Sequence, residues 1–122
     1  MIRTLLPLAD GGAASPMESE ARLVMLDGGL PTPQLQFPVL DSWGMPKFFL
    51  DFAWPQAKVG AEYDSDEFHS GGRAVRRDKS RISWLQDHGW LIVYITADDV
   101  RRWPRQLIGR LNAHVIARSL TA

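Results

Sequence analysis

Asp51 sits in the aromatic stretch "KFFLDFAW" and Glu62 in the stretch "AKVGAEYD". An ionisable side chain among aromatics costs on the order of several kcal/mol unless it is paired. Asp51 therefore needs a partner: an arginine from a neighbouring helix, or a cation that it helps to hold. Period-two geometry puts Lys58, Gly60, Glu62 and Asp64 on one face of a strand over 57–64, with Val59, Ala61 and Tyr63 on the other. If that strand pairs with the one carrying Asp51, the two carboxylates lie side by side, about 5 Å apart at Cβ. At that distance they repel and one pKa rises, unless a cation lies between them. Oxygen ligands with open positions suit Mg²⁺ or Mn²⁺, which keep waters and take phosphate oxygens from a substrate. That is the apparatus of metal-assisted phosphodiester hydrolysis. Gly60 and Ala61 are small and leave room above the strand beside Glu62.

The surrounding pattern predicts the elements that must position this pair. In "SPMESEARLVMLDGGL" Ser15 is the expected N-cap, Pro16 the first helical residue and Glu18 the third position of a capping box. Met17, Ala21, Val24 and Gly28 form one stripe, and Gly28-Gly29 ends the helix. "QLQFPVL" turns Leu35, Phe37 and Val39 inward, and Pro38 marks an edge strand or a bulge. "DSWG" supplies a turn, "KFFLDFAW" a second strand and "AKVGAEYD" a third, which together read as a meander. A helix over 73–88 follows, with Val75, Ile82 and Leu85 as its stripe. "GWLIVYIT" has the continuous apolar run of a buried central strand. "ADDVRRW" begins a helical turn, and Pro104 starts a last helix with Leu107, Ile108, Leu111 and Val115 inward. The order α-β-β-β-α-β-α implies an α/β (α+β) fold, a mixed sheet flanked by helices. Trp54, Trp84, Trp90 and Trp103 read as core or part-buried packing.

A chain of 122 residues, 45% hydrophobic and 23% charged, suits one domain with a single core. The start, 1–14, is linker-like and the domain spans 15–122; a linker-like start is what the C-terminal part of a longer protein would carry. The absence of cysteine excludes a disulfide framework, a thiolate metal site and a cysteine nucleophile, and fits a reducing cytoplasm. No stretch of the sequence approaches a membrane span, so no membrane partner is expected. Net charge is zero, but the signs are segregated. Acidic residues crowd 62–67, and Arg73, Arg76, Arg77, Lys79 and Arg81 follow at once. Those cations either contact phosphates beside the site or form a solvated helix face. A second basic set, Arg101, Arg102, Arg105, Arg110 and Arg118, lies further on.

An Asp on the second strand and a Glu on the third, within this element order, resemble the PD-(D/E)XK nucleases of the restriction-endonuclease-like fold. More closely, "SPMES", "LDFAWP", "AEYDSDEFHS", "RRDKSRISWLQDHGW" and "ITADDV" resemble the short-patch-repair-like endonuclease domains, an actinobacterial branch catalogued as a domain of unknown function. The resemblance runs from about Ser15 to about Pro104. It implies a Mg²⁺-dependent (or Mn²⁺-dependent) DNA endonuclease in which Asp51 and Glu62 hold the metal and Asp64 adds a carboxylate or a water-mediated contact. It implies further that Glu18 is the acidic residue of the first helix near the metal and that His69 is the base or orients the attacking water. Asp78 and Arg81 match a "D-x-x-R" on the helix after the site. Some relatives carry an N-terminal helix-turn-helix part, so this domain alone is expected to bind DNA weakly and without preference.

Two positions depart from the pattern. The lysine two residues after the Glu is Asp64 here, and Lys47 and Lys58 each stand four residues from a ligand position, about 13 Å along an extended strand. Ser65 replaces the glycine of "EYDG". The missing lysine gives weight to an alternative, a catalytically degenerate nuclease fold that binds nucleic acid or a partner; a structural C-terminal module is a third reading. Individual residues keep plainer readings too. Glu18 serves a capping box, Asp64 ends a strand as a turn former, and Asp66 and Glu67 are solvated. His69 reads equally as a surface histidine, as His88 and His114 do near helix ends. Asp78 and Arg81 form a helix ion pair, or Asp78 points inward with Val75 and Ile82 and braces the site. "DSD" lacks the later ligands and the glycine of a calcium loop.

Overall fold

The computed structural model describes residues 16–64 and 72–120; of 72–78 and 120 only the backbone is described. The chain runs α1 (Pro16–Asp27), β1 (Gln34–Leu40), β2 (Pro46–Trp54), β3 (Val59–Tyr63), α2 (Gly72–Asp87), β4 (Leu91–Ile95), α3 (Ala97–Arg101) and α4 (Pro104–Leu120). The strands form one four-stranded sheet in the order β1-β2-β3-β4. β1, β2 and β3 are an antiparallel meander, and β4 lies parallel to β3. A parallel neighbour needs a crossover, and α2 provides it. The architecture is the mixed α/β sheet flanked by helices that the element order implies, with α3 as a single capped turn. There the Thr96 side chain accepts from Asp99 N–H, and Asp99 accepts from Thr96 N–H in return.

Each face of the sheet has its own core. On one, Phe52, Trp54, Val59, Ala61, Val93 and Ile95 pack against Ala21 and Met25 of α1, Val100 of α3 and Leu107, Leu111 and Val115 of α4. On the other, Val39, Leu50 and Ala53 pack with Leu85 of α2 and with Trp90. Leu50 and Ala53 share that face although they are three residues apart, so β2 shifts its alternation at the step that carries Asp51. The β1 residue between the pairs Leu35–Phe52 and Phe37–Leu50 is Gln36, whose φ is +46°. This left-handed residue breaks the expected inward row of β1: Phe37 and Val39 face the core, while Leu35 is exposed. β1 is an edge strand, as Pro38 implies, and its register slips between Val39 and Leu40.

Three further expectations are corrected. β4 is an edge strand rather than a central one. Its apolar run reflects helices on both faces, which a strand can have without a neighbour on each side. Lys58 is not on β3; it lies in the preceding turn with φ +53°, and its ammonium donates to His88 O at 2.9 Å. A cation there satisfies a carbonyl at the end of α2 and complements the helix dipole. Trp103 is exposed in the bend between α3 and α4, whereas Trp54 and Trp90 are buried. Among the described residues no helix is long and apolar enough to cross a membrane.

The contact between α1 and α4 depends on one glycine. A Cβ on Gly28 would meet the Ile108 side chain at 2.7, 2.9 and 3.0 Å, and a β-branched side chain has little freedom to turn away. Gly28→Ala is expected to lower unfolding stability by about 1–3 kcal/mol, the range for overpacking, measured as a shift of the urea midpoint.

Candidate functional site

Asp51 and Glu62 are on adjacent antiparallel strands whose pairs run Trp54–Val59, Ala53–Gly60 and Phe52–Ala61. The paired residues end at Phe52–Ala61, one short of Asp51 and Glu62, at the step where β2 shifts its alternation; Asp51 is tied to the end of β3 by its bond to Tyr63 N–H. Asp51 and Glu62 are both half-buried. Glu62 shares a face with Gly60, where the room left by glycine is already taken: a Cβ there would lie 2.8 Å from Leu50 Cδ1 and 2.9 Å from Ile92 Cδ1.

The two carboxylates are held differently. One Asp51 oxygen accepts from Tyr63 N–H at 3.0 Å, and the other accepts from the Gln36 side-chain amide at 3.3 Å. Glu62 is met by Arg81 of α2, whose two terminal nitrogens donate to its two oxygens at 2.5 Å each. The same guanidinium donates to Phe49 O at 3.3 Å and lies over the Phe48 ring, 5.3 Å from its centroid. Burial works against the charge on Arg81. The Glu62 hydrogen bonds, and then the charges of Glu62, Tyr94 and Asp51, outweigh it and hold Arg81 above its usual value. The cation that two neighbouring carboxylates call for is thus present, and it is a side chain of the protein. Arginine suits the place because its planar fork matches a carboxylate at both oxygens.

Asp64 follows β3 directly, half-buried, and its N–H donates to Ile95 O at 2.8 Å. Glu18 stands in the first turn of α1. Two residues on, Glu20 takes Arg101 at 3.0 and 2.9 Å, and those hydrogen bonds hold the Glu20 carboxyl below its ordinary range. That pair ties the first turns of α1 to α3. Lys79 is exposed on α2. The side chains of Arg73, Arg76, Arg77 and Asp78, and the whole of His69, Asp66 and Glu67, lie outside the described residues. Arg81, which the sequence pairs with Asp78 in a D-x-x-R pattern, is in direct contact with Glu62. Among the described residues no three His, Asp or Glu side chains come together as a metal-holding group.

Sequence reasoning did not find Gln36, the Tyr63 N–H or Tyr94 as parts of this constellation. The outward alternation of Gln34 and Gln36 contains no sign of the positive φ that brings the Gln36 amide to Asp51. A backbone donor leaves no mark in residue types at all.

No family model matches the chain, and no solved structure does. Two uncharacterized proteins of Mycobacterium tuberculosis, from two strains, are each 52% identical to it over 113 residues. The match covers 93% of this chain and 41% of theirs, so the chain spans less than half the length of the curated relatives it matches.

Proposed function

We propose that this domain is a Mg²⁺- or Mn²⁺-dependent DNA endonuclease of the PD-(D/E)XK type, related to the short-patch-repair-like domains. The observation that supports the reading is that Asp51, bonded to Tyr63 N–H at the end of β3, and Glu62 on β3 both act on one guanidinium, that of Arg81. A cationic group, the Arg81 guanidinium, already lies against Glu62 and within the field of Asp51. A positive group at that place supports the reading of the carboxylates as a cation site. Mg²⁺ is commonly held by one or two carboxylates, with water and substrate phosphates completing the shell, so the donor set fits. When bound, the metal supplies charge neutralisation on the phosphodiester and a lowered pKa for the attacking water.

The protein's own groups do the rest. The Tyr63 N–H fixes the Asp51 carboxylate, and Glu62 faces the same space from β3. Lys79, with Arg73, Arg76 and Arg77 on the same helix, holds the DNA backbone by charge, a contact that fixes position and reads no sequence. His69 takes or directs the proton of the attacking water. The substrate class is DNA, bound weakly by this domain alone.

A second reading, a degenerate nuclease fold that only binds nucleic acid or a partner, is favoured by one observation. Both oxygens of Glu62 are engaged by Arg81. Calorimetric titration of Mg²⁺ and Mn²⁺ into the intact chain and into Asp51→Ala, both checked for folding, separates the two. Binding that is lost in the variant is the expected result. No binding to the intact chain, with or without a DNA duplex, would leave the degenerate reading in place.

A further inference from the structure

The Arg81–Glu62 contact presents a problem of occupancy. A metal at Asp51 and Glu62 must displace a guanidinium that donates to both oxygens of Glu62. Asp51, Glu62 and Arg81 together carry one net negative charge; with Arg81 withdrawn the pair carries two, which matches a divalent cation. We propose that Arg81 is an internal occupant of the cation site, which leaves Glu62 for a phosphate of the nucleic acid and so couples metal binding to substrate binding. This inference rests on the reading of Asp51 and Glu62 as a cation site.

The chemistry of the exchange is favourable at both ends. A phosphodiester offers two oxygens at a spacing that an arginine fork accepts as readily as a carboxylate. Beyond Glu62, Arg81 is held by weaker contacts. Its bond to Phe49 O is long at 3.3 Å, and its other neighbour is the flat face of Phe48. A second cation lies on the same aromatic patch, with Lys47 Nζ 5.6 Å from the Phe48 centroid and 5.5 Å from that of Trp84. A phosphate drawn to Lys47 therefore arrives at the ring over which Arg81 lies. Once the guanidinium turns to it, Glu62 gains the freedom to take metal. Linkage then requires the reciprocal effect: metal tightens phosphate binding by the same factor.

The test is Mn²⁺ binding, followed by electron paramagnetic resonance and calorimetry, to the full chain, Arg81→Gln and Arg81→Lys. Each is measured alone and with a phosphorothioate DNA duplex that resists cleavage. Arg81→Gln is expected to bind Mn²⁺ about tenfold more tightly than the parent without DNA, within the usual span of coupling between sites. DNA should tighten Mn²⁺ on the parent by a similar factor and add little to the Gln variant. Arg81→Lys keeps the charge but loses the fork, so its affinity should fall between the two; it carries the same comparison if the Gln variant does not fold. Equal or weaker Mn²⁺ binding in both variants overturns the proposal while leaving the cation site standing, as does equal tightening by DNA in parent and variants. No Mn²⁺ binding in any of the three proteins removes both.

Discussion

Glu62→Leu is expected to lower the unfolding free energy by about 2–4 kcal/mol, and Arg81→Met by a similar amount. Breaking a buried ion pair costs about 3–5 kcal/mol because a desolvated charge is left without its partner. Exposed pairs give about 0–1 kcal/mol. The Arg81 and Glu62 side chains are 20% and 12% exposed, closer to the buried limit, and the contact is bidentate. Arg81 also retains Asp51 within its field when Glu62 is removed, which softens the loss. The double variant Glu62→Leu/Arg81→Met removes both charges and puts apolar groups against Phe48. It should be more stable than either single variant, so the two effects are strongly non-additive. Urea denaturation of the four proteins gives the cycle. Single losses under about 0.5 kcal/mol that simply add would mark a loose surface contact. An ion pair of this kind anchors the crossover helix α2 to β3 at the candidate site.

Much of this arrangement is legible in the sequence because it follows from local periodicity. The antiparallel pairing of the strands that carry Asp51 and Glu62 requires only two extended runs and a short connection. The turn 55–58, with Ala57 N–H to Trp54 O and Lys58 N–H to Pro55 O, makes that connection. Pro38 correctly marks β1 as an edge because a residue without an N–H has no place on the inner side of a ladder. The apolar stripes of α1 and α4 likewise carry their own burial, with Ala21, Leu107, Leu111 and Val115 in the core.

The remainder depends on contacts between distant parts of the chain. Arg81 and Glu62 are separated by 19 positions, and four neighbouring cations precede Arg81 on the same helix. Residue types alone do not say which of the five turns towards the sheet. The positive φ values of Gln36 and Lys58 are equally hidden, since neither residue type favours that region. Both have consequences for the site. Gln36 shifts the β1 alternation and brings an amide to Asp51, while Lys58 leaves the face it was expected to share with Glu62 and ends α2 instead. Lys58 therefore offers no cation to the face of Glu62.

Phe52→Ala is expected to cost about 3–5 kcal/mol, the range for a buried aromatic truncated in a core, while Phe49→Ala should stay within about 0.5 kcal/mol. The stretch "KFFLDFAW" offers three phenylalanines that composition does not distinguish. Phe52 is 2% exposed, lies between Leu35 and Ala61 in the ladder and packs in the core under α1 and α4. Phe49 is 53% exposed and paired with Pro38 on the outer part of the hairpin. The shift of alternation at Asp51 brings Phe52 to the face of Phe49, but only Phe52 lies under α1 and α4. It also fixes the site between two cores: Phe52 anchors β2 to one face, Leu50 and Ala53 to the other, and Asp51 lies at the step between them. A cavity at Phe52 lets that step relax, so the Phe52→Ala protein should weaken Mn²⁺ binding even under conditions where it is folded, and Phe49→Ala should not. Equal stability and equal Mn²⁺ affinity in the two variants would mean that the carboxylates are positioned by their own hydrogen bonds alone, with the core beneath them incidental.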